Sequence, residues 1–195
     1  MIGAAERRGS DATEIEIVRG LAAGDLDGLG LLFDRYGESI RRLVIRMGVP
    51  ASDADDLVQN TFLAAMRSAS RFNADYAVRS WLLGIAAMMT RRYHRSSGRL
   101  AARLRAWSHE PGVAPAQPDG ASETKEQLAL AERALGELSQ KKREAFVMVV
   151  LEGVPGEEAA GALGIPVNTL WTRLHHARRE LREALFSAAT PEAVS

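Results

Sequence analysis

Apolar residues recur at three- and four-residue spacing along most of this chain, the signature of helices with one buried face. Glu14 to Ala23 carries Ile17, Val18 and Leu21 on one side, and Gly24 is placed to end that helix. Asp25 is placed to cap the next one, whose stripe is Leu29, Leu32, Phe33, Tyr36, Ile40, Leu43, Val44 and Met47. Gly48-Val49-Pro50 stops it. Ser52 offers the next N-cap, with Asp55 three residues on, and Leu57, Val58, Phe62, Ala65 and Met66 form the apolar face that follows. Residues 69–79 break the pattern and read as a loop. A further helix starts near Ser80 with Trp81, Leu82, Ile85, Met88 and Met89 inside, and its basic later part runs past Gly98 to Trp107.

Residues 108–122, SHEPGVAPAQPDGAS, have the composition of a linker. Beyond them Glu123 to Leu138 reads as a polar helix. Ser139 caps another, with Ala145, Phe146, Val149 and Val150 buried, and Gly153 to Gly156 turns the chain. A short alanine-rich helix from Glu157 to Leu163 and a tight Gly164-Ile165-Pro166 turn lead to a last helix over about 167–186, with Leu170, Leu174, Ala177, Leu181 and Leu185 inward. No strand pattern or repeat is seen. The expected fold is all-α: two small helical domains, 13–107 and 123–187, joined by a flexible linker, with disordered ends at 1–12 and 188–195.

Composition adds charge segregation to this picture. Lys+Arg and Asp+Glu each number 25 in 195 residues, so the formal net charge is zero. Yet no acidic residue falls between Tyr76 and His109, a stretch that holds Arg79, Arg91, Arg92, Arg95, Arg99, Arg103 and Arg105. Acid gathers instead at Asp53, Asp55 and Asp56 and at Glu157 and Glu158. Local field, more than net charge, decides where a polyanion lands. With no cysteine there is no disulfide or thiolate metal site, and four scattered histidines offer no ligand spacing, so neither metal nor cofactor is expected. No apolar run approaches the ~18 residues of a membrane span, and the N-terminus lacks a signal-peptide core, so a soluble cytoplasmic protein is expected.

Three constellations carry candidate chemistry. The first is a helix-turn-helix: Ala159 and Ala160 are small enough for close helix approach, Gly164 makes the turn and Ile165 anchors it. The second helix then presents Asn168, Thr169, Trp171, Thr172, Arg173, His175 and His176 outward, early residues toward base edges and Arg178, Arg179 and Arg182 toward phosphates. A hairpin with merely solvated charges would show the same pattern, and Trp171 also fits a partly buried position. The second is the basic helix, with Trp81, Tyr93 and Trp107 for stacking and a preceding loop holding Phe72, Asn73 and Tyr76 that suits an unstacked base; a solvated charged face is the competing reading. The third is the acidic start at Asp53, Asp55 and Asp56 with Gln59 and Asn60, suited to a basic partner but equally to helix-dipole compensation. No nucleophile elbow, glycine-rich phosphate loop or carboxylate pair argues for catalysis.

Taken together, these residues resemble the extracytoplasmic-function group of bacterial sigma factors, from about Ile17 to Leu185. DADDLVQNTFLAAM is similar to the family pattern "DAEDLVQETFLRAW", and RSWLLGIAAMMTRRYHR to "FRTWLYRIARNLAIDLLRR". LLFDRYGESIRRLV resembles the family's first core-domain helix, and Leu138 to Leu185 its C-terminal helix-turn-helix. The resemblance implies a non-catalytic specificity subunit of RNA polymerase. Asp53, Asp55, Asp56, Gln59 and Asn60 would bind the clamp helices of the largest polymerase subunit, with the flap as a second contact. Arg71, Phe72, Asn73, Tyr76, Arg79, Trp81, Arg91, Arg92 and Arg95 would engage the −10 element and its melted strand. Asn168, Thr169, Trp171, Thr172, Arg173, His175, His176, Arg178 and Arg179 would read the −35 element. An anti-sigma partner, often at the membrane, is implied as well.

The chain departs from the pattern in three places. Gly84, Ala87 and Met88 stand where "RIARN" has Arg, Arg and Asn, which leaves some −10 contacts missing or moved. Pro155 replaces a serine cap, and Trp171 replaces a lysine, which removes a charge from the DNA face. Two other functions fit the residues: a free-standing helix-turn-helix regulator that binds duplex DNA as a dimer, and an adaptor that kept the fold and lost its DNA contacts.

Overall fold

Every stretch with a three- and four-residue apolar period folds as helix. The computed structural model describes the backbone of residues 3–107 and 123–189, and side chains over 13–97 and 129–186. The helices are α1 (Gly3–Ala22), α2 (Leu29–Arg46), α3 (Ala51–Ser68), α4 (Val78–Trp107), α5 (Glu123–Glu137), α6 (Gln140–Phe146), α7 (Gly156–Leu163) and α8 (Val167–Ala189). Among the described residues there is no strand. The expected linker, Trp107's side chain and those of Arg99, Arg103 and Arg105 lie outside the described residues.

Several boundaries differ from the sequence expectation, for identifiable reasons. α1 reaches back to Gly3, well before Glu14, so helical backbone covers most of the stretch expected to be disordered. Asp25 does not cap α2: its carboxylate accepts from the Asp27 amide within the preceding turn, and Gly28 stands at the N-cap. Ser52 likewise caps nothing, because α3 starts two residues earlier than expected, with Pro50 at its N-cap, and the Ser52 hydroxyl donates to Asp53. Ser139 occupies the N-cap of α6 without a side-chain cap bond. Phe33, Met88, Val150 and Leu185, expected inside, are exposed by more than a third. Phe33 still stacks on Phe62, ring centres 5.0 Å apart. The left-handed glycines fall where helices end: Gly24, Gly48 and Gly164 have φ of 91°, 89° and 65°.

α6 does not stop at Phe146. It widens into a π turn over Val147–Leu151, closed by the Glu152 amide on the Val147 carbonyl (2.9 Å). One residue per turn is gained, which re-aims everything after it. Glu152 is thereby turned back toward α2 and α4.

The N-terminal and C-terminal helices do not stand apart. One apolar core runs from Val18, Leu32, Ile40, Leu43 and Val44 through Leu82, Leu83 and Ala86 to Met148, Val154, Ala159, Leu163 and Leu170. A smaller cluster of Ala134, Leu138, Ala177 and Leu181 joins α5 to α8. α4 lies against α7, and at Gly84 the two approach closely: a Cβ there would sit 2.7 Å from the Ala162 Cβ and 3.0 Å from its carbonyl oxygen. The absent side chain at Gly84 is thus a packing requirement of this arrangement.

Candidate nucleic-acid and polymerase interface

The acidic start of α3 divides by environment. Asp55, Asp56, Gln59 and Asn60 are exposed, and Asp53 is half-buried. Asp55 pairs with Arg41 at 3.0 Å while remaining largely in solvent, a contact of small worth. Asp53 accepts a hydrogen bond from the Tyr93 hydroxyl at 2.6 Å. That bond, with a lesser one from Ser52, holds the Asp53 carboxyl below the usual carboxylate range. Tyr93 is pushed up in turn, first by the same bond and then by burial. Asp56 has no ion pair among the described residues and points into solvent, so it is the acidic group readiest for an external cation.

The sign of the Asp53 shift gives a test. A carboxyl depressed in the folded state stabilises the fold above its unfolded pKa and loses that contribution as pH falls through the folded value. Tyr93→Phe removes the dominant cause, so the Asp53 titration midpoint moves upward toward the ordinary range. Carbon-detected NMR of the Asp53 carboxyl reads this directly. An unmoved midpoint would show that Tyr93 is not its partner in solution.

The residues expected at the −10 element gather at the start of α4 and the loop before it. Phe72 packs on Trp81, ring centres 5.1 Å apart at 53°. The Asn73 side chain accepts from the Asp75 amide at 3.0 Å and shapes the loop. Arg71, Phe72, Asn73, Tyr76 and Trp81 line a cleft of about 220 Å³ with Ser80. Its other wall is α7: Glu158, Gly161 and Ala162. Glu158 also accepts from the Ala77 amide at 3.4 Å. Further along α4, Arg92 and Arg95 are exposed and share a second cleft with Leu57, Asn60, Met89 and Tyr93. That cleft joins the acidic helix to the basic one.

Arg79 and Arg91 are differently placed. Arg79 donates to the Glu152 carboxylate at 2.7 Å and to its carbonyl at 2.8 Å. Arg46 binds the other carboxylate oxygen at 2.8 Å. Arg91 donates to Glu144 at 2.8 Å and to the Leu163 carbonyl at 3.4 Å. Both carboxylates are almost fully covered, with side-chain exposures of 4% for Glu152 and 2% for Glu144. Neither glutamate is singled out by the sequence pattern. Glu144 could have been noticed as a carboxylate in line with Val147 and Met148 on the apolar side of α6.

α7 and α8 form the helix-turn-helix. Gly164 ends α7 in the left-handed region, and the Ile165 amide returns to the Ala160 carbonyl at 3.0 Å. Leu170, Leu174 and Ala177 are buried, while Asn168, Trp171, Thr172, His175, Arg178 and Arg179 are exposed and Thr169, Arg173 and His176 half-buried. Arg179 lies 3.8 Å from Glu183 in an exposed contact. Trp171 is 46% exposed, and its ring covers Gly156: a Cβ there would meet the indole at 2.4 Å. Trp171 is therefore both a packing residue of the motif and part of its outer face, and Gly156 makes room for it.

Comparison with known proteins decides the family. The family model described as Sigma-70 region 2 matches residues 32–100, and the one described as Sigma-70, region 4 matches residues 128–181. The RNA polymerase sigma factor CnrH of Cupriavidus metallidurans is 32% identical over 171 residues, which is 84% of this chain and 90% of CnrH. The chain belongs to the extracytoplasmic-function group of sigma factors. The ECF RNA polymerase sigma-E factor of Escherichia coli is 29% identical over 177 residues, 87% of this sigma factor and 92% of that one. Among solved structures, CnrH in complex with the cytosolic domain of CnrY matches with a TM-score of 0.65 and 27% identity, covering 90% of this chain and 98% of that one. The sigma factor RpoE of Bartonella quintana, in complex with the anti-sigma factor NepR, matches with a TM-score of 0.58 and 26% identity, covering 78% and 93%. Region 2 thus contains the acidic and basic helices, and region 4 the helix-turn-helix. No helix among the described residues is long and apolar enough to cross a membrane.

Proposed function

We propose that this sigma factor docks on core RNA polymerase through the exposed carboxylate of Asp56, aided by Asp53, Asp55, Gln59 and Asn60, and reads promoters through two separate surfaces. As a sigma factor it binds core polymerase and directs it to promoters. The −10 surface is the Phe72–Trp81 cleft with Arg71, Asn73 and Tyr76, continued along α4 by Arg79, Arg91, Arg92 and Arg95. The −35 surface is the outer face of α8, from Asn168 to Arg179. The observation that carries this reading is the division of charge on the folded surface, with acid at the start of α3 and base along α4 and α8. A free dimeric regulator has no need of the acidic face. The role is that of a specificity subunit without catalysis of its own.

An anti-sigma partner is part of the proposal. Two of the similar structures are complexes, one with the cytosolic domain of CnrY and one with the anti-sigma factor NepR. A comparable partner here would hold the protein in the cytoplasm or, if itself anchored, at the inner membrane.

Run-off transcription tests the function. Core polymerase with and without the protein is given a pool of promoter-like DNA, and start sites are sequenced. Protein-dependent starts that share two upstream motifs at fixed separation are expected; protein bound to core without such starts would favour the adaptor reading. In the same assay Arg173→Ala and His176→Ala lower −35-dependent initiation by roughly tenfold each, the scale of one lost base or phosphate contact of 1–3 kcal/mol. Core binding stays unchanged. Equal loss of both activities would remove α8 as the reading helix.

A further inference from the structure

The outer face of α8 carries one large apolar group among its polar ones. Trp171 is 46% exposed and stands between Asn168, three residues before it, and His175, four residues after, both also exposed. The indole is not loose. Its Cε2–Cζ2–Cη2 edge lies against Gly156, the first residue of α7: a Cβ on that glycine would collide with Cζ2 and sit 2.9 Å from Cη2 and 3.3 Å from Cε2. Gly156 is not among the glycines with positive φ, so its backbone suits any residue, and it is the ring that requires the missing side chain. Next to the indole, the Thr172 hydroxyl donates to the Asn168 carbonyl at 2.9 Å, so its proton is used within the helix. The second turn of α8 thus presents a fixed apolar plate to whatever the helix meets.

We infer that Trp171 makes α8 a reader of a thymine methyl group in the −35 element, with Gly156 as its positioning residue. In the major groove thymine alone of the four bases carries a C5 methyl group, and an apolar side chain recognises it by removing both surfaces from water. The early residues of a recognition helix are those that meet base edges, and Trp171 falls in that part of α8. A cation here would grip a phosphate and say nothing of sequence. The indole has one N–H donor and no acceptor, so it cannot take a hydrogen bond from the amino groups of adenine or cytosine. Packing on Gly156 has already fixed the ring, so little rotamer freedom is lost when DNA arrives. This inference rests on the proposed reading of the −35 element by α8, and names the base feature that one residue of it selects.

The test uses holoenzyme assembled from core polymerase and the full chain, on a promoter recovered by start-site sequencing. Each thymine of its −35 motif, on either strand, is replaced in turn by deoxyuridine, which keeps the base pair and loses only the methyl group. At one position initiation is expected to fall about fourfold, the factor for one methyl-sized group left in water. Trp171→Ala, too short to reach the base, and Gly156→Ala, which displaces the ring, are each expected to erase the preference for thymine over deoxyuridine at that position. Base preferences at the other −35 positions stay as in the parent, which shows that the motif is still folded. Deoxyuridine without effect at every position would overturn the inference, and this arm needs no variant. Discrimination retained in either variant would overturn it as well. Arg173→Ala on the same promoter separates the two ideas. Weakened initiation with that variant, beside indifference to deoxyuridine, keeps α8 as the reading helix while the thymine contact falls; no effect of either change removes both.

Discussion

Asp56→Arg is expected to abolish capture of core RNA polymerase and to leave the fold intact. Of the three aspartates at the start of α3, Asp53 is held by Tyr93 and Asp55 by Arg41, while Asp56 faces solvent without an ion pair among the described residues. Reversing its charge sets a cation against the basic partner surface that the proposed docking face would meet. Like charges brought together at an interface cost several kcal/mol, a loss of roughly a hundredfold or more in affinity. An exposed position costs the fold less than about 0.5 kcal/mol. Pull-down of core polymerase with the variant, beside its thermal unfolding curve, checks both halves of the statement. Normal capture would move the docking site away from α3.

The largest effect on stability is expected from Leu170→Ala. Leu170 is fully buried on the inner face of α8 and belongs to the core that runs through both regions. Truncation removes the transfer energy of its side chain and leaves a cavity that the packed helices cannot collapse into, together about 2–5 kcal/mol. For a chain of this size that lowers the unfolding midpoint by about 10 °C. The same side chain seats the helix proposed to read the −35 element, so −35-dependent initiation is expected to fall in parallel. Circular dichroism melting reads the first effect; a shift within error of the parent would mean that α8 is not packed as described.

Much of this was legible in the chain because helical periodicity is a local property. The stripes Leu29 to Met47 and Leu170 to Leu181, and the left-handed glycines at 24, 48 and 164, follow from neighbouring residues alone. Caps were less legible. Asp25 and Ser52 have the right chemistry, but a shift of three residues in the first N-cap and two in the second gave their oxygens other partners. The acidic and basic faces could be read as residue sets, whereas which of their members are engaged inside the fold could not. Nothing near Glu144 or Glu152 in sequence hints at Arg91, 53 residues away, or Arg79, 73 residues away.

The sequence by itself therefore determined the all-helical class, the order of the two sigma regions, the acidic and basic sets and the helix-turn-helix. Each of these depends on periodicity, turn chemistry or residue type over a short span. Only the tertiary structure decided that the two regions share one core, that Gly84 packs directly on Ala162 and that Trp171 lies on Gly156. It also decided which of the α3 aspartates lacks a side-chain partner among the described residues and which arginines are held. Those outcomes depend on contacts between residues far apart in the chain, where a single ångström of helix approach or one extra residue in a π turn selects the partner.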